Sequence, residues 1–364
     1  MLKNLREKLI DLTRKFYCKK DPEETYTISP KPKVVHLAIS RACNVNCIMC
    51  PINREVLKDK KKFLDFETFK RVFNKGKDIE FLNFVGAGEI FVAKDFTKIL
   101  EYCFNKGFSA LGCITNLQLV SPKLAELMVR NHFHQISVSI DGCTKETFEY
   151  IRRGSKFEIT IKTIELFNEL KYRYHSDLPH FTFMTVAMNS NIHEFPGLVK
   201  LAHKYGVKYI YVARLHVSKE EILNESLFFY QEKYNCYYDE IVDLCKKLNI
   251  NIELPPKFGS PPIRKGKMIR DCKLPFENVY IDVDGIVYPC VCRVDPEVFI
   301  GSINDNSLLN LWNSKKFNAF RQAMFSDFPP KQCKECTFSV LDPNKLESHM
   351  IPELARKVRE KNYV

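Results

Sequence analysis

Short, almost continuously apolar runs recur through the first two thirds of the chain, each followed by a longer stretch with helical spacing. The runs are VVHLAI at 34–39, FLNFV at 81–85, ALGCIT at 110–115, QISVSI at 135–140, FTFMTVAM at 181–188 and VKYIYVA at 207–213. The helical stretches lie near 66–77, 95–106, 122–131, 145–172, 194–205 and 218–248. Strands that are apolar on both faces belong to parallel sheets covered by helices, and the alternation predicts βαβ units. Six units predict an α/β fold with a partial (β/α)6 TIM-like barrel, its active site at the C-terminal ends of the strands.

Past residue 253 the pattern changes. LPPKFGSPPIRKGK reads as a linker. ENVYIDVDGIVYPCV alternates apolar residues around Asp-Gly, which predicts a hairpin, and a helix is expected over 308–325 before CKEC. The predicted organisation is a helical extension over 1–33, the barrel over 34–253, a small cysteine-rich α+β module over 254–345 and a tail over 346–364.

With 45% hydrophobic and 27% charged residues in 364, the chain reads as globular with a real core. No apolar run reaches bilayer-spanning length. The opening MLKNLREKLIDLTRKFY lacks a signal-peptide pattern, so a cytoplasmic location is expected. The net charge of +12 comes from scattered lysines and not from a stripe interleaved with aromatics, so nucleic acid is not indicated.

Fourteen cysteines change the picture. In a reducing compartment such a count points to metal or redox chemistry. Cys43, Cys47 and Cys50 form C-x3-C-x2-C just past the first strand. Three thiolates can hold three irons of a [4Fe–4S] cubane and leave the fourth open to an external ligand. A structural zinc would need a fourth protein ligand, and His36, the nearest imidazole, falls inside the predicted strand. Cys272, Cys290, Cys333 and Cys336, spaced C-x17-C-x42-C-x2-C, can complete a second [4Fe–4S] cluster with no open iron. Zinc on four thiolates is the competing reading, and Cys292 is spare. Cys18, Cys103, Cys113, Cys143, Cys236 and Cys245 are by default small buried hydrophobes.

C-x3-C-x2-C in this position resembles the signature of the radical S-adenosylmethionine (SAM) superfamily, and the resemblance extends over about 34–215. Gly86-Ala87-Gly88-Glu89 resembles the Gly-Gly-Glu motif that receives the amino group of SAM, with Ala87 and Ile90 as departures. Thr115-Asn116 resembles the Thr-Asn after the third strand. Ser139 and Asp141 resemble residues facing SAM at the end of the fourth. Arg152 or Arg153 resembles an arginine that approaches the SAM carboxylate, and Met49 stands where an aromatic is frequent. The later cysteines and their flanks resemble SPASM/twitch modules, the short form being similar to that of radical SAM aminocyclitol dehydrogenases.

The resemblance implies SAM and two [4Fe–4S] clusters as cofactors, reductive cleavage of SAM, and hydrogen abstraction by a 5′-deoxyadenosyl radical. A flavodoxin- or ferredoxin-type donor would supply electrons. A closed second cluster suits removal of an electron from a substrate radical, hence oxidation of an alcohol on a sugar or aminocyclitol. Two enzymatic alternatives are carbon epimerisation, with Cys236 or Cys245 returning a hydrogen atom, and maturation of a ribosomally made peptide. A non-enzymatic alternative is an iron–sulfur electron carrier or sensor.

Overall fold

The computed structural model describes residues 28–52, 61–73, 79–261, 272–291, 294, 297–334, 336 and 342–360. The six expected strands form within two residues of their sequence limits: β1 (Val34–Ala38), β2 (Phe81–Val85), β3 (Leu111–Thr115), β4 (Gln135–Ser139), β5 (His180–Ala187) and β6 (Tyr209–Arg214). Each pairs in parallel with its sequence neighbour. Leu82, Phe84, Ile136 and Val138 are fully buried toward the helices.

Several helices start where a side chain satisfies one of the first free N–H groups. Asp65 accepts from Thr68 N–H ahead of α1 (Phe66–Val72), and α2 (Phe96–Lys106) ends on Gly107 in the left-handed conformation. Ser121 accepts from Leu124 N–H ahead of α3 (Pro122–Arg130), with Pro122 at the first position. The helical stretch at 145–172 divides into α4 (Lys145–Ile151) and α5 (Phe157–Arg173). The turn between them carries Gly154 at φ +93°, a conformation that favours glycine. α6 (Phe195–Lys204) follows β5, while 218–248 resolves into two short 3-10 turns and α7 (Gln231–Leu248).

A seventh parallel strand, β7 (Asn251–Glu253), pairs with β6. Three residues with two polar members carry no strand signal of their own; the partner edge supplies the conformation. The Asp-Gly hairpin forms as expected from β8 (Asn278–Ile281), led in by the short α8 (Leu274–Glu277), and β9 (Ile286–Tyr288), and β10 (Gly301–Ser302) joins β9. The hairpin is not a separate sheet. β8 lies parallel to β1, with His36 opposite Tyr280, and the strands form one sheet in the order β10-β9-β8-β1-β2-β3-β4-β5-β6-β7. Arg41 ties the two parts together, its guanidinium 3.1 Å from Asp282 and 2.8 Å from Asp284.

The helix expected over 308–325 divides into α9 (Leu308–Trp312) and α10 (Lys315–Ala323), because Ser314 caps a new start as Ser307 caps the first. After the short α11 (Lys331–Lys334), the segment expected as a tail docks on the barrel. Val217 N–H donates to His349 O, Ile351 N–H donates to Val217 O, and α12 (Pro352–Glu360) buries Leu354 and Val358. No described helix is long and apolar enough to cross a membrane.

The face of the sheet away from Leu82 and Phe84 mixes polar residues with Phe81, Ile114 and Met184. It lines a partly open pocket bordered by His36, Asn83, Gln135, Thr182, Tyr209 and Tyr211 among others. Burial lowers His36 to about 4, so its ring is neutral at pH 7. Glu253 pairs in register with Tyr211 and accepts from the Tyr209 hydroxyl at 2.9 Å. Burial raises its carboxyl to about 7. The folded chain therefore holds a proton there that the unfolded chain has released, and stability falls as pH rises from about 4.5 toward 7. The effect is at most about 3 kcal/mol, less because the side chain keeps some contact with water. Glu253→Gln, which keeps an acceptor for Tyr209, is expected to flatten that part of the stability–pH profile in chemical denaturation. An unchanged slope would contradict the assignment.

Candidate active site at the strand C-termini

The loop after β1 carries Cys43, Cys47 and Cys50, all partly buried. Its course is fixed by main-chain bonds to the turn after α4: Asn46 N–H to Arg153 O at 2.8 Å and Ile48 N–H to Ile151 O at 2.9 Å. Burial raises the Cys47 thiol, Arg152 opposes the rise, and Cys50 and Cys43 add to it, so the three thiols lie within electrostatic reach of one another. A soft, all-sulfur donor set on one short loop suits an iron–sulfur cluster.

The loop after β2 presses against the start of this cysteine loop. A Cβ on Gly86 would lie 2.6 Å from Ser40 O, and one on Gly88 would lie 2.0 Å from Ala42 O. The two glycines serve close approach, sealed by Glu89 N–H donating to Ala42 O at 2.8 Å. Gly88→Ala must push the cysteine loop away, at a cost of about 1–3 kcal/mol. The expected result is loss of roughly half the bound iron after anaerobic reconstitution, with the second site retained. Full iron content would contradict the account.

Glu89 is 3% exposed. One carboxylate oxygen accepts from the Thr115 hydroxyl at 2.7 Å and from Phe91 N–H at 3.4 Å, and the other accepts from Asn116 N–H at 2.8 Å. Burial raises its carboxyl, with these donors opposing. Glu89 thus locks the end of β2 to the end of β3. The Asn116 amide in turn donates to the Asn44 side chain at 3.0 Å, inside the cysteine loop.

Ser139 ends β4, partly buried, in register with Met184. Asp141 is fully buried, accepting from the Thr185 hydroxyl at 3.1 Å and from Val186 N–H at 2.6 Å. Its other oxygen is 2.6 Å from the Arg152 guanidinium. Arg152 also directs Nη1 at Cys47 Sγ, 3.8 Å away. Arg153, the other arginine considered, is exposed. Direct contacts therefore join Glu89 to Asn116, and Arg152 to Cys47 and Asp141, while Cys43 and Cys50 share the Cys47 loop, Gly86 and Gly88 pack against the start of that loop, and Ser139 ends the neighbouring strand.

Cys272 precedes α8, Cys290 follows β9, Cys333 is in α11 and Cys336 follows it. Burial pushes the Cys272 thiol up to about 12, and Cys290, Cys336 and Cys333 each raise it further, so these four also share one locality. Cys292 lies outside the described residues. Cys236 is exposed on α7 and Cys245 is buried in the core, its thiol raised by burial to about 11; neither lines the pocket. Sequence reasoning passed over Arg41 and Asn44. Arg41 had a signal in its position just ahead of the motif and in the paired acids of Asp282-Val-Asp284; Asn44 had none beyond lying between two cysteines.

Residues 37–202 match the radical SAM superfamily and residues 272–337 match an iron–sulfur cluster-binding domain, SPASM. The chain is 27% identical over 184 residues to an AdoMet-dependent heme synthase of Methanosarcina barkeri, covering 48% of each protein. It thus spans about half the length of that relative. It is 20% identical over 290 residues to the mycofactocin maturase MftC of Mycolicibacterium smegmatis, covering 78% of this chain and 71% of the maturase. Among solved structures it resembles Streptococcus suis SuiB. Bound to S-adenosylmethionine, SuiB gives a TM-score of 0.63 at 15% identity, over 90% of this chain and 75% of SuiB. Bound to the precursor peptide SuiA it gives 0.61 at 16%, over 93% and 81%. Two domain matches in the expected order, over a barrel whose cysteine loop and Gly-rich loop interlock, place this chain in the radical SAM superfamily, with a C-terminal SPASM module and with S-adenosylmethionine and [4Fe–4S] clusters as its cofactors.

Proposed function

We propose that the chain is a peptide-modifying radical SAM enzyme that holds its SAM-binding cluster on Cys43, Cys47 and Cys50 and an auxiliary cluster on Cys272, Cys290, Cys333 and Cys336. The observation that carries the reading is the interlock of the cysteine loop with the Gly86–Glu89 loop, because an electron carrier needs no such second loop. When bound, the first cluster and SAM supply a 5′-deoxyadenosyl radical able to take a hydrogen atom from a substrate. The residues here orient and enclose. Gly86 and Gly88 bring main chain up to the site, Glu89 and Asn116 fix the strand ends, and Asp141 and Arg152 fill the space behind Cys47.

A peptide substrate is supported by the likeness to the maturase MftC and to SuiB, whose structure was solved with a precursor peptide. It also suits a sheet whose terminal strands among the described residues are β10 and β7, since an open barrel admits an extended chain from the side. A sugar or aminocyclitol, anticipated from the four-cysteine module, has no specific support. The test uses reconstituted protein with SAM and a flavodoxin-type reductant, supplied with either perdeuterated peptide mixtures or perdeuterated sugars. Deuterium in 5′-deoxyadenosine only with peptides supports the proposal. Transfer only from sugars overturns the substrate, and no 5′-deoxyadenosine under any condition overturns the activity.

A further inference from the structure

We propose that Arg152 and Asp141 together set the reduction potential of the cluster held by Cys43, Cys47 and Cys50, with Arg152 raising it through Cys47 and Asp141 limiting the rise. The inference rests on the reading that these three thiols hold a cluster.

Arg152 is placed by the backbone on both sides. Ile151 O and Arg153 O accept from Ile48 and Asn46 of the cysteine loop, so the arginine and Cys47 move as one piece. The residue is 8% exposed. Its two terminal nitrogens are committed in different directions, Nη1 to Cys47 Sγ at 3.8 Å and Nη2 to Asp141 at 2.6 Å. Nε is buried without a hydrogen-bond partner among the described residues. Its orientation therefore comes from the thiol and the carboxylate. Asp141 cannot follow a moving arginine: Thr185 and Val186 hold its other oxygen, and the Asn191 amide donates to its main-chain oxygen at 2.9 Å.

Hydrogen bonds and charges at ligand sulfurs are among the terms that fix iron–sulfur potentials. Reduction adds negative charge, which a guanidinium on a ligand sulfur favours. Burial strengthens that interaction relative to water. A carboxylate just beyond the guanidinium acts in the opposite sense and from further away. The pair thus makes a signed prediction. Arg152→Gln should move the potential down. Arg152→Lys, which keeps the charge but loses the planar fork, should move it down by less. Asp141→Asn, which keeps the shape and loses the charge, should move it up.

The experiment is an EPR-monitored redox titration of the reconstituted full chain without SAM. The first cluster is identified beforehand as the signal that changes when SAM is added. Iron content and circular dichroism confirm that each variant is loaded and folded. Opposite shifts for Arg152→Gln and Asp141→Asn are the expected result. Identical potentials, or shifts in the same direction, overturn the inference, as does weakened SAM binding in Arg152→Gln at an unchanged potential. If Arg152→Gln does not load, Asp141→Asn and Arg152→Lys carry the test, and an unshifted Asp141→Asn overturns it. A Cys43/Cys47/Cys50→Ala triple variant that keeps all its iron would instead sink the underlying reading.

Discussion

Cys43→Ala, Cys47→Ala and Cys50→Ala are each expected to abolish 5′-deoxyadenosine formation. With one thiol gone, the loop offers two ligands to a cubane that needs three protein sulfurs and one open iron. The loop has no spare cysteine within its span. Its course is fixed by Asn46, Ile48 and Glu89, so it cannot slide to recruit another. The triple variant should retain about four irons per chain against about eight in the parent, because the module cysteines lie elsewhere. Quantitative iron and labile sulfide analysis beside chromatographic detection of 5′-deoxyadenosine checks both. Full activity in any single variant would contradict the assignment.

Glu89 should show a graded response. Glu89→Ala strands Asn116 N–H and the Thr115 hydroxyl in a buried site, at a cost of about 3 kcal/mol, seen as a lower unfolding midpoint in denaturant. Glu89→Gln can still accept from Asn116 N–H while its amide donates to a reoriented Thr115 hydroxyl, so its stability should stay close to that of the parent. It has lost the negative charge and the long 3.4 Å hydrogen bond from Phe91 N–H. If that charge receives the SAM ammonium, as the Gly-Gly-Glu resemblance implies, the Gln variant should bind SAM at least tenfold more weakly, ~1.4 kcal/mol, with both clusters intact. Calorimetric titration with SAM separates the two roles. Unchanged affinity in Glu89→Gln would make Glu89 a fastener of β2 to β3 and nothing more.

The strands were legible because parallel strands buried on both faces are written as apolar runs, and burial is the strongest signal a sequence carries. β2 was located to the residue. What escaped was set by partners distant in sequence. β7 is a strand only because β6 offers it an edge. The split between α9 and α10 depends on Ser314 acting as a cap, which an apolar periodicity does not register. The likeness to a known signature pointed to the individual cysteines, glycines and Glu89, but their contacts were not legible. Glu89 is held by Thr115 and Asn116, 26 and 27 residues on, and Arg152 faces both Asp141, 11 residues before it, and Cys47, 105 residues before it, because strand ends adjacent in space are separated in the chain. Arg41 escaped for the same reason: its acids lie 241 and more residues away.

β1 has β2 on one side and β8 on the other. The first strand of the barrel therefore completes its hydrogen bonding only after some 240 later residues have been made, so during synthesis one rim of the nascent sheet waits exposed. A chain cut at residue 253 would carry that rim permanently, a row of bare amides and carbonyls of the kind that recruits other strands and aggregates. The iron–sulfur module is thus no detachable accessory: it is the cover for a sticky edge, and barrel and module should melt in a single transition.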